Sequence, residues 1–143
     1  MSKAEANAAL IREYLETVKG VSRSDRSGSD GRAILRFYSP DIRAVSTGRS
    51  PVAGTFAGRD FYEKWLPMWA PYDVTIVDVI DVLASDTRVA LLVTEEYRHR
   101  QSGEVLRVDR VSYYEIEDGL ITSMTVVDKD QYTADDFWTR TQP

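Results

Sequence analysis

Four residues of this chain carry groups suited to proton transfer, and the pattern around each says which way its side chain faces. Asp128 closes the run Leu120–Asp128, in which Met124 and Val126 share its strand face. A carboxylate on an apolar face is stripped of water, and general acid or base work favours such a setting. His99 is the single histidine, and Val89, Leu91, Val93, Glu95 and Tyr97 share its parity along one strand. Histidine is the side chain that ordinarily changes charge near neutrality, which suits a proton shuttle. Asp109 lies in a third run, where Val111 and Tyr113 share its face while Arg110, Ser112, Tyr114 and Ile116 share the other. Tyr14 falls on the apolar stripe of a helix, beside Leu10, Ile11, Leu15 and Val18.

The elements that must position these groups are legible in order. Ser2 and Glu5 have capping-box spacing ahead of the first helix, and Gly20 stops it. A Ser-, Gly- and charge-rich stretch from Val21 to Gly31 reads as a loop. Asp30 then caps a short second helix carrying Ile34, Leu35, Phe37 and Tyr38, which Pro40 ends. A short strand over Ile42–Ser46 and a glycine-punctuated loop feed a third helix, with Asp60 as its cap and Phe61, Trp65, Leu66 and Trp69 on one face. Pro67 shortens or kinks that helix. From Asp73 onward the pattern is β. The turn at Asp118-Gly119 is a strong hairpin signal within an antiparallel meander over Arg88–Asp128. Thr133–Asp136 caps a last helical turn through Phe137 and Trp138. The fold class is therefore α+β, with helices packed on one face of a curved antiparallel sheet, as a single domain over residues 1–143.

Composition excludes several functions. With 143 residues, 43% apolar and 29% charged, the balance is that of an ordinary soluble chain. No apolar run spans a membrane and no signal-peptide pattern opens the chain, so a cytoplasmic location is expected. Zero cysteines remove disulfides, thiolate metal sites and a thiol nucleophile, and one histidine removes a His-cluster metal site. A net charge of −5 argues against nucleic acid. No nucleotide motif is present, so neither a metal nor another cofactor is expected.

The segments Phe37–Asp41, Gly54–Asp60, Asp86–Ala90 and Tyr114–Ile121, in that order, resemble the nuclear-transport-factor-2-like superfamily, specifically its polyketide-cyclase (SnoaL-like) and ketosteroid-isomerase-like branch. The resemblance covers nearly the whole chain. It implies a cone-shaped sheet wrapped round helices, a deep apolar pocket and a homodimer. In that frame Asp128 sits in the pocket or at its mouth, His99 at the rim, and Tyr14 where ketosteroid isomerases place an oxyanion donor. Tyr38, Phe56, Trp65, Trp69, Tyr114 and Met124 would line the pocket for a flat or polycyclic ligand, with Glu96 and Arg98 as polar rim residues.

The departures from the family are informative. Ser46 and Ser112 stand where the steroid isomerases carry their carboxylates, and the chain has one histidine where scytalone-dehydratase-like members need two. The family pattern puts the Tyr114 face inward and Asp109 outward, unless a bulge reverses them. Arg107-Val-Asp109 with Asp128 has the residue types of limonene-epoxide-hydrolase-like members, one strand late. Glu96-Tyr-Arg98 lies on the expected strand in reverse order. The expectation is a cofactor-independent acid–base enzyme of cyclase or isomerase type, acting on a mostly apolar small molecule of secondary metabolism. Asp128 and His99 would be the catalytic pair, with Tyr14 as donor and Asp109 in reserve. The alternatives are epoxide opening and a non-catalytic binding module.

Overall fold

The computed structural model describes residues 1–20 and 33–143. The loop over Val21–Gly31 and the Asp30 cap fall outside the described residues. Helix α1 spans Lys3–Gly20, and Ser2 Oγ accepts the Glu5 amide at 3.1 Å, which is half of the anticipated capping box. Its buried stripe is Ile11, Tyr14 and Leu15.

Six strands follow: β1 (Tyr38–Ser46), β2 (Gly54–Ala57), β3 (Tyr72–Ala84), β4 (Arg88–His99), β5 (Val105–Glu117) and β6 (Leu120–Asp128). They form one curved, open sheet in the order β2-β1-β6-β5-β4-β3. All neighbours are antiparallel except β1 and β6, which run parallel with Ala44 opposite Met124. β5 is central, and its residues alternate exposed and buried along its whole length. That periodicity of two assigns each β5 side chain to one face without ambiguity. The β5–β6 hairpin turns at Asp118-Gly119, both with positive φ (52° and 75°), as the Asp-Gly pair requires.

Three local expectations are corrected. Among the described residues, 33–35 are helical and β1 begins at Tyr38, so Pro40 lies inside the strand instead of ending a helix. The β1–β6 register shifts between Tyr38 and Arg43, and such an irregularity accommodates a residue without an N–H. The third helix consists of a wide turn (Phe61–Trp65) and a tight one (Leu66–Trp69) with Pro67 in the first turn of the second. Asp60 makes no capping bond there and instead pairs with Lys64 at 3.4 Å. Helix α2 covers Gln131–Thr141, and Asp130, not Thr133, is its cap. The Asp130 carboxylate accepts the Thr133 amide at 3.2 Å and hydroxyl at 2.7 Å, and these two bonds lower its pKa below the usual carboxylate value.

The concave side of the sheet packs against α1, the two turns and α2. Phe37, Phe61, Tyr72, Phe137 and Trp138 are among the fully enclosed side chains. Aromatic contacts run from Tyr14 through Tyr38, Phe61, Trp65 and Trp69 to Trp138, edge to face except at Phe61 and Trp65, which stack. Among the described residues no helix is long and apolar enough to cross a membrane.

Candidate functional site

A partly open cavity of about 110 Å³ lies between the concave sheet face, α1 and the aromatic turns. Its apolar wall includes Leu15, Trp65, Trp69, Leu91, Met124 and Trp138. Its polar wall comes from the inward face of three adjacent strands: Glu95 and Tyr97 on β4, Arg110 and Ser112 on β5, and Asp128 on β6.

These polar groups form one buried cluster. Arg110 donates through Nε to Asp128 Oδ1 at 2.7 Å and through Nη2 to Oδ2 at 3.3 Å, a forked pair with both side chains under a tenth exposed. Arg110 Nη1 donates to the Tyr97 hydroxyl and lies 3.5 Å from Glu95 Oε2. The Tyr97 hydroxyl in turn donates to Glu95 Oε2 at 2.7 Å. Burial raises the Tyr97 phenol well above its ordinary value; Arg110 opposes this, and Glu95 and Asp128 add to it. Burial works against the Arg110 charge, but the Tyr97 oxygen, Glu95 and Asp128 outweigh it and hold the proton more firmly than usual. Tyr114 is likewise raised, by burial first and then by Tyr14 and Glu95. Two carboxyl groups and one guanidinium thus share one wall of the cavity.

A second polar feature lies at the α1 side. The Tyr14 and Tyr38 hydroxyls are 2.6 Å apart and buried, with Tyr14 lining the cavity. Trp65 Nε1 donates to Ser46 Oγ at 3.3 Å. Trp69 Nε1 differs: among the described residues it is the buried side-chain nitrogen or oxygen with no hydrogen-bond partner.

Asp128, Tyr14, Trp65, Trp69, Tyr114 and Met124 are placed on the cavity wall. Tyr38 is buried one hydroxyl behind it, and Phe56 packs half-buried against the core away from the lining. His99 is not brought to Asp128. Its Nδ1 bonds Ser102 Oγ at 2.8 Å and its ring rests 5.5 Å from that of Tyr72, because β4 ends at His99 and the chain turns back. Asp109 is exposed on the convex face, where it accepts from Thr94 Oγ1 at 2.8 Å and borders a surface crevice with Arg107 and Lys129. Glu96 and Arg98 have the wrong parity: they alternate with Glu95 and Tyr97 and so leave the cavity to them. Among the described residues no group of three or more His, Asp or Glu side chains gathers as a metal site.

Glu95, Tyr97, Arg110 and Trp138 were missed as site residues. The signal for three of them was present: Arg110 has the parity of Tyr114, and Glu95 and Tyr97 that of Val93. Charge on an inward face is the informative observation. A family model for the SnoaL-like domain matches residues 11–124, well over half of the chain.

The chain belongs to the SnoaL-like domain family.

No curated protein matches the sequence. Solved structures share the fold at low identity. An NTF2-like protein from Burkholderia xenovorans is 16% identical at a TM-score of 0.72, covering 98% of each chain. TerC, co-crystallised with polyporic acid, is 18% identical at 0.72, covering 94% of this chain and 98% of its own. A protein from Mesorhizobium loti described as a SnoaL-like polyketide cyclase is 19% identical at 0.63, covering 84% and 97%. This SnoaL-like chain thus shares the fold of an NTF2-like protein, the fold that its motif order implied. The Glu95–Tyr97–Arg110–Asp128 cluster is read from its own geometry.

Proposed function

We propose that the protein is a cofactor-independent acid–base enzyme of cyclase or isomerase type, acting on a compact, mostly apolar small molecule. The observation that carries this reading is the pair of buried carboxylates, Glu95 and Asp128, held by one buried guanidinium at the wall of an aromatic cavity. Either carboxylate, at the cavity wall, is placed to remove a proton from a bound carbon acid or from water. The Tyr97 phenol, kept neutral by burial, and the Tyr14–Tyr38 hydroxyl pair are donors for oxygen that becomes negative as the proton leaves. In this reading the acid–base pair is Asp128 with Glu95, and His99 is a structural residue of the β4–β5 turn.

Cavity size narrows the substrate. An engineered cavity of roughly 150 Å³ takes up benzene. A chamber of about 110 Å³ therefore suits one ring or a branched chain of similar bulk, and a polycyclic ligand would need it to widen. TerC, a fold relative crystallised with polyporic acid, supports small-molecule binding in this fold.

A second reading, epoxide opening, is favoured by the carboxylate–guanidinium–carboxylate arrangement, which supplies the charges that limonene-epoxide-hydrolase-like members use. Here they come from β4, β5 and β6 in turn. One experiment separates the readings. The protein is incubated in D₂O with cyclohexanone, followed by NMR for α-hydrogen exchange, and in parallel with cyclohexene oxide, followed for diol. Exchange supports carbon-acid chemistry, diol supports epoxide opening, and Asp128→Asn should lower either rate by about 10²–10⁴. Binding of both compounds without turnover would leave a carrier.

The homodimer belongs to the same proposal. Leu92, Val111 and Val127 stand in register across β4, β5 and β6 on the convex face, with Tyr113 and Ala90 beside them. Arg88 and Glu115 lie near this row with both signs of charge, which a two-fold axis can match against themselves. Val111→Glu should convert a dimer to a monomer in sedimentation velocity. An unchanged profile would place the contact elsewhere.

A further inference from the structure

Trp69 was expected to contribute only apolar surface, yet its indole carries a polar atom left over by the fold. Trp69 closes the tight turn Leu66–Trp69 and lines the cavity. Its neighbours are rings: Trp65 at 5.6 Å between centroids, Trp138 at 5.3 Å, Tyr97 at 5.9 Å and Tyr72 at 6.5 Å. Among the described residues no oxygen or nitrogen accepts its N–H, whereas the adjacent Trp65 is satisfied by Ser46. A buried donor without an acceptor destabilises the state that contains it, so such groups are rare and call for a partner. Phenylalanine would fill much of this position without that cost.

We propose that the Trp69 Nε1–H binds an oxygen of the ligand, so that the site selects compact ketones, ethers or epoxides over hydrocarbons of the same shape. This deepens the proposed function and rests on its reading of the cavity as the ligand site. The placement also orients the ligand. Tyr97 packs beside Trp69 and hydrogen-bonds Glu95. An oxygen on the Trp69 indole therefore leaves the neighbouring carbon on the side of the carboxylates, where a proton would be removed. Trp69 is then a binding residue that holds the oxygen while the charged cluster does the proton transfer.

The test uses two probes of one shape, cyclohexanone and methylenecyclohexane, with ¹⁵N-labelled protein. There are three indole signals, from Trp65, Trp69 and Trp138, and Trp69→Phe assigns the middle one by its loss. Cyclohexanone should move the Trp69 Nε1–H resonance downfield, while methylenecyclohexane leaves it in place. Trp69→Phe should weaken ketone binding about tenfold, the effect of losing one neutral hydrogen bond, and leave hydrocarbon binding unchanged. A thermal midpoint for Trp69→Phe at or above that of the wild type would exclude a folding defect.

Three results would overturn the inference. If both probes shift the Trp69 signal alike, or if Trp69→Phe weakens both equally, the indole acts as a surface and not as a donor. If both probes shift cavity-lining Met124 and Leu91 methyls but neither shifts the indole, the N–H is satisfied by a ring face and the inference fails while the site reading stands. If neither probe perturbs any cavity residue, the site reading fails with it.

Discussion

Strands β4 and β5 carry arginine–carboxylate pairs on both faces, with opposite physical consequences. On the convex side Arg88 and Glu115 are cross-strand partners 3.4 Å apart, 65% and 48% exposed. On the concave side Arg110 holds Asp128 and Glu95, and all three side chains are largely buried. The outer pair exchanges water for a contact of similar worth and contributes about 0–1 kcal/mol. The inner cluster has given up its water, so each charge depends on the others, and removing one leaves the rest exposed to a low dielectric. The same residue types therefore make a replaceable surface contact on one side and a charged tool on the other.

The comparison breaks most visibly at Arg110. Arg110→Met should destabilise the fold by about 3–5 kcal/mol, read from the urea midpoint, because two buried carboxylates lose their counter-charge. Glu95→Leu, Arg110→Met and Asp128→Leu combined should recover most of that loss and have no exchange activity toward cyclohexanone. A triple variant as unstable as the single one would mean that the arginine matters for packing alone.

Tyr97→Phe comes next. It takes the hydroxyl from between Glu95 and Arg110 and should cost about 1–3 kcal/mol, the price of an unmet buried acceptor. Equal stability of this variant would show that water replaces the hydroxyl.

Alkaline pH tests the concave face as a whole. The phenols of Tyr62, Tyr72, Tyr97 and Tyr114 are all raised above 10.0, by burial first in each case. The folded chain keeps protons that the unfolded chain releases. Their contribution is thus fully present below pH 10 and is lost as pH climbs above it. Thermal midpoints from pH 8 to 11.5 should be level at first and then fall, and Tyr97→Phe should flatten the decline.

The smallest expected effect belongs to the convex pair. Arg88→Ala and Glu115→Ala should each change stability by under about 1 kcal/mol, shrinking further in 0.5 M salt. A loss as large as that at Arg110 would remove the contrast between the faces.

Much of this architecture was legible in the residues because periods of two and 3.6 report directly on faces. The β5 alternation and the Asp118-Gly119 turn follow from counting, and the inward face of Tyr114 from the family resemblance. The helix near Pro40 misled because an irregular β1–β6 pairing tolerates a proline that local preference reads as a stop. The site was less legible. Asp128 was found from the apolar residues on its strand, but its partner was sought in the one titrating histidine, and His99 ends β4 in a turn. Arg110 shares the Tyr114 face by parity, but an arginine is rarely buried, so its type alone gives no sign of the inward position it takes. Which strand faces which was the missing information: Arg110 meets Asp128 through the cross-strand register of β5 and β6.

The parallel seam between β1 and β6 bears on how the chain acquires its shape. Ala44 waits for Met124, and Ser46 for Val126, across some eighty residues of intervening chain. Contacts so distant in sequence must close a long loop before they are rewarded, which slows assembly. The hairpins from β3 to β6 are local by comparison and can form first. On a ribosome, β1 would then emerge early with β2 as its local partner, and its β6 side would stay open until nearly the entire chain had been made. Stopped-flow refolding should show the meander protected from hydrogen exchange before the β1 and β6 amides of their shared seam, and simultaneous protection of both would contradict that order. The wall that carries Ser46 and helps to close the cavity would be the last part in place.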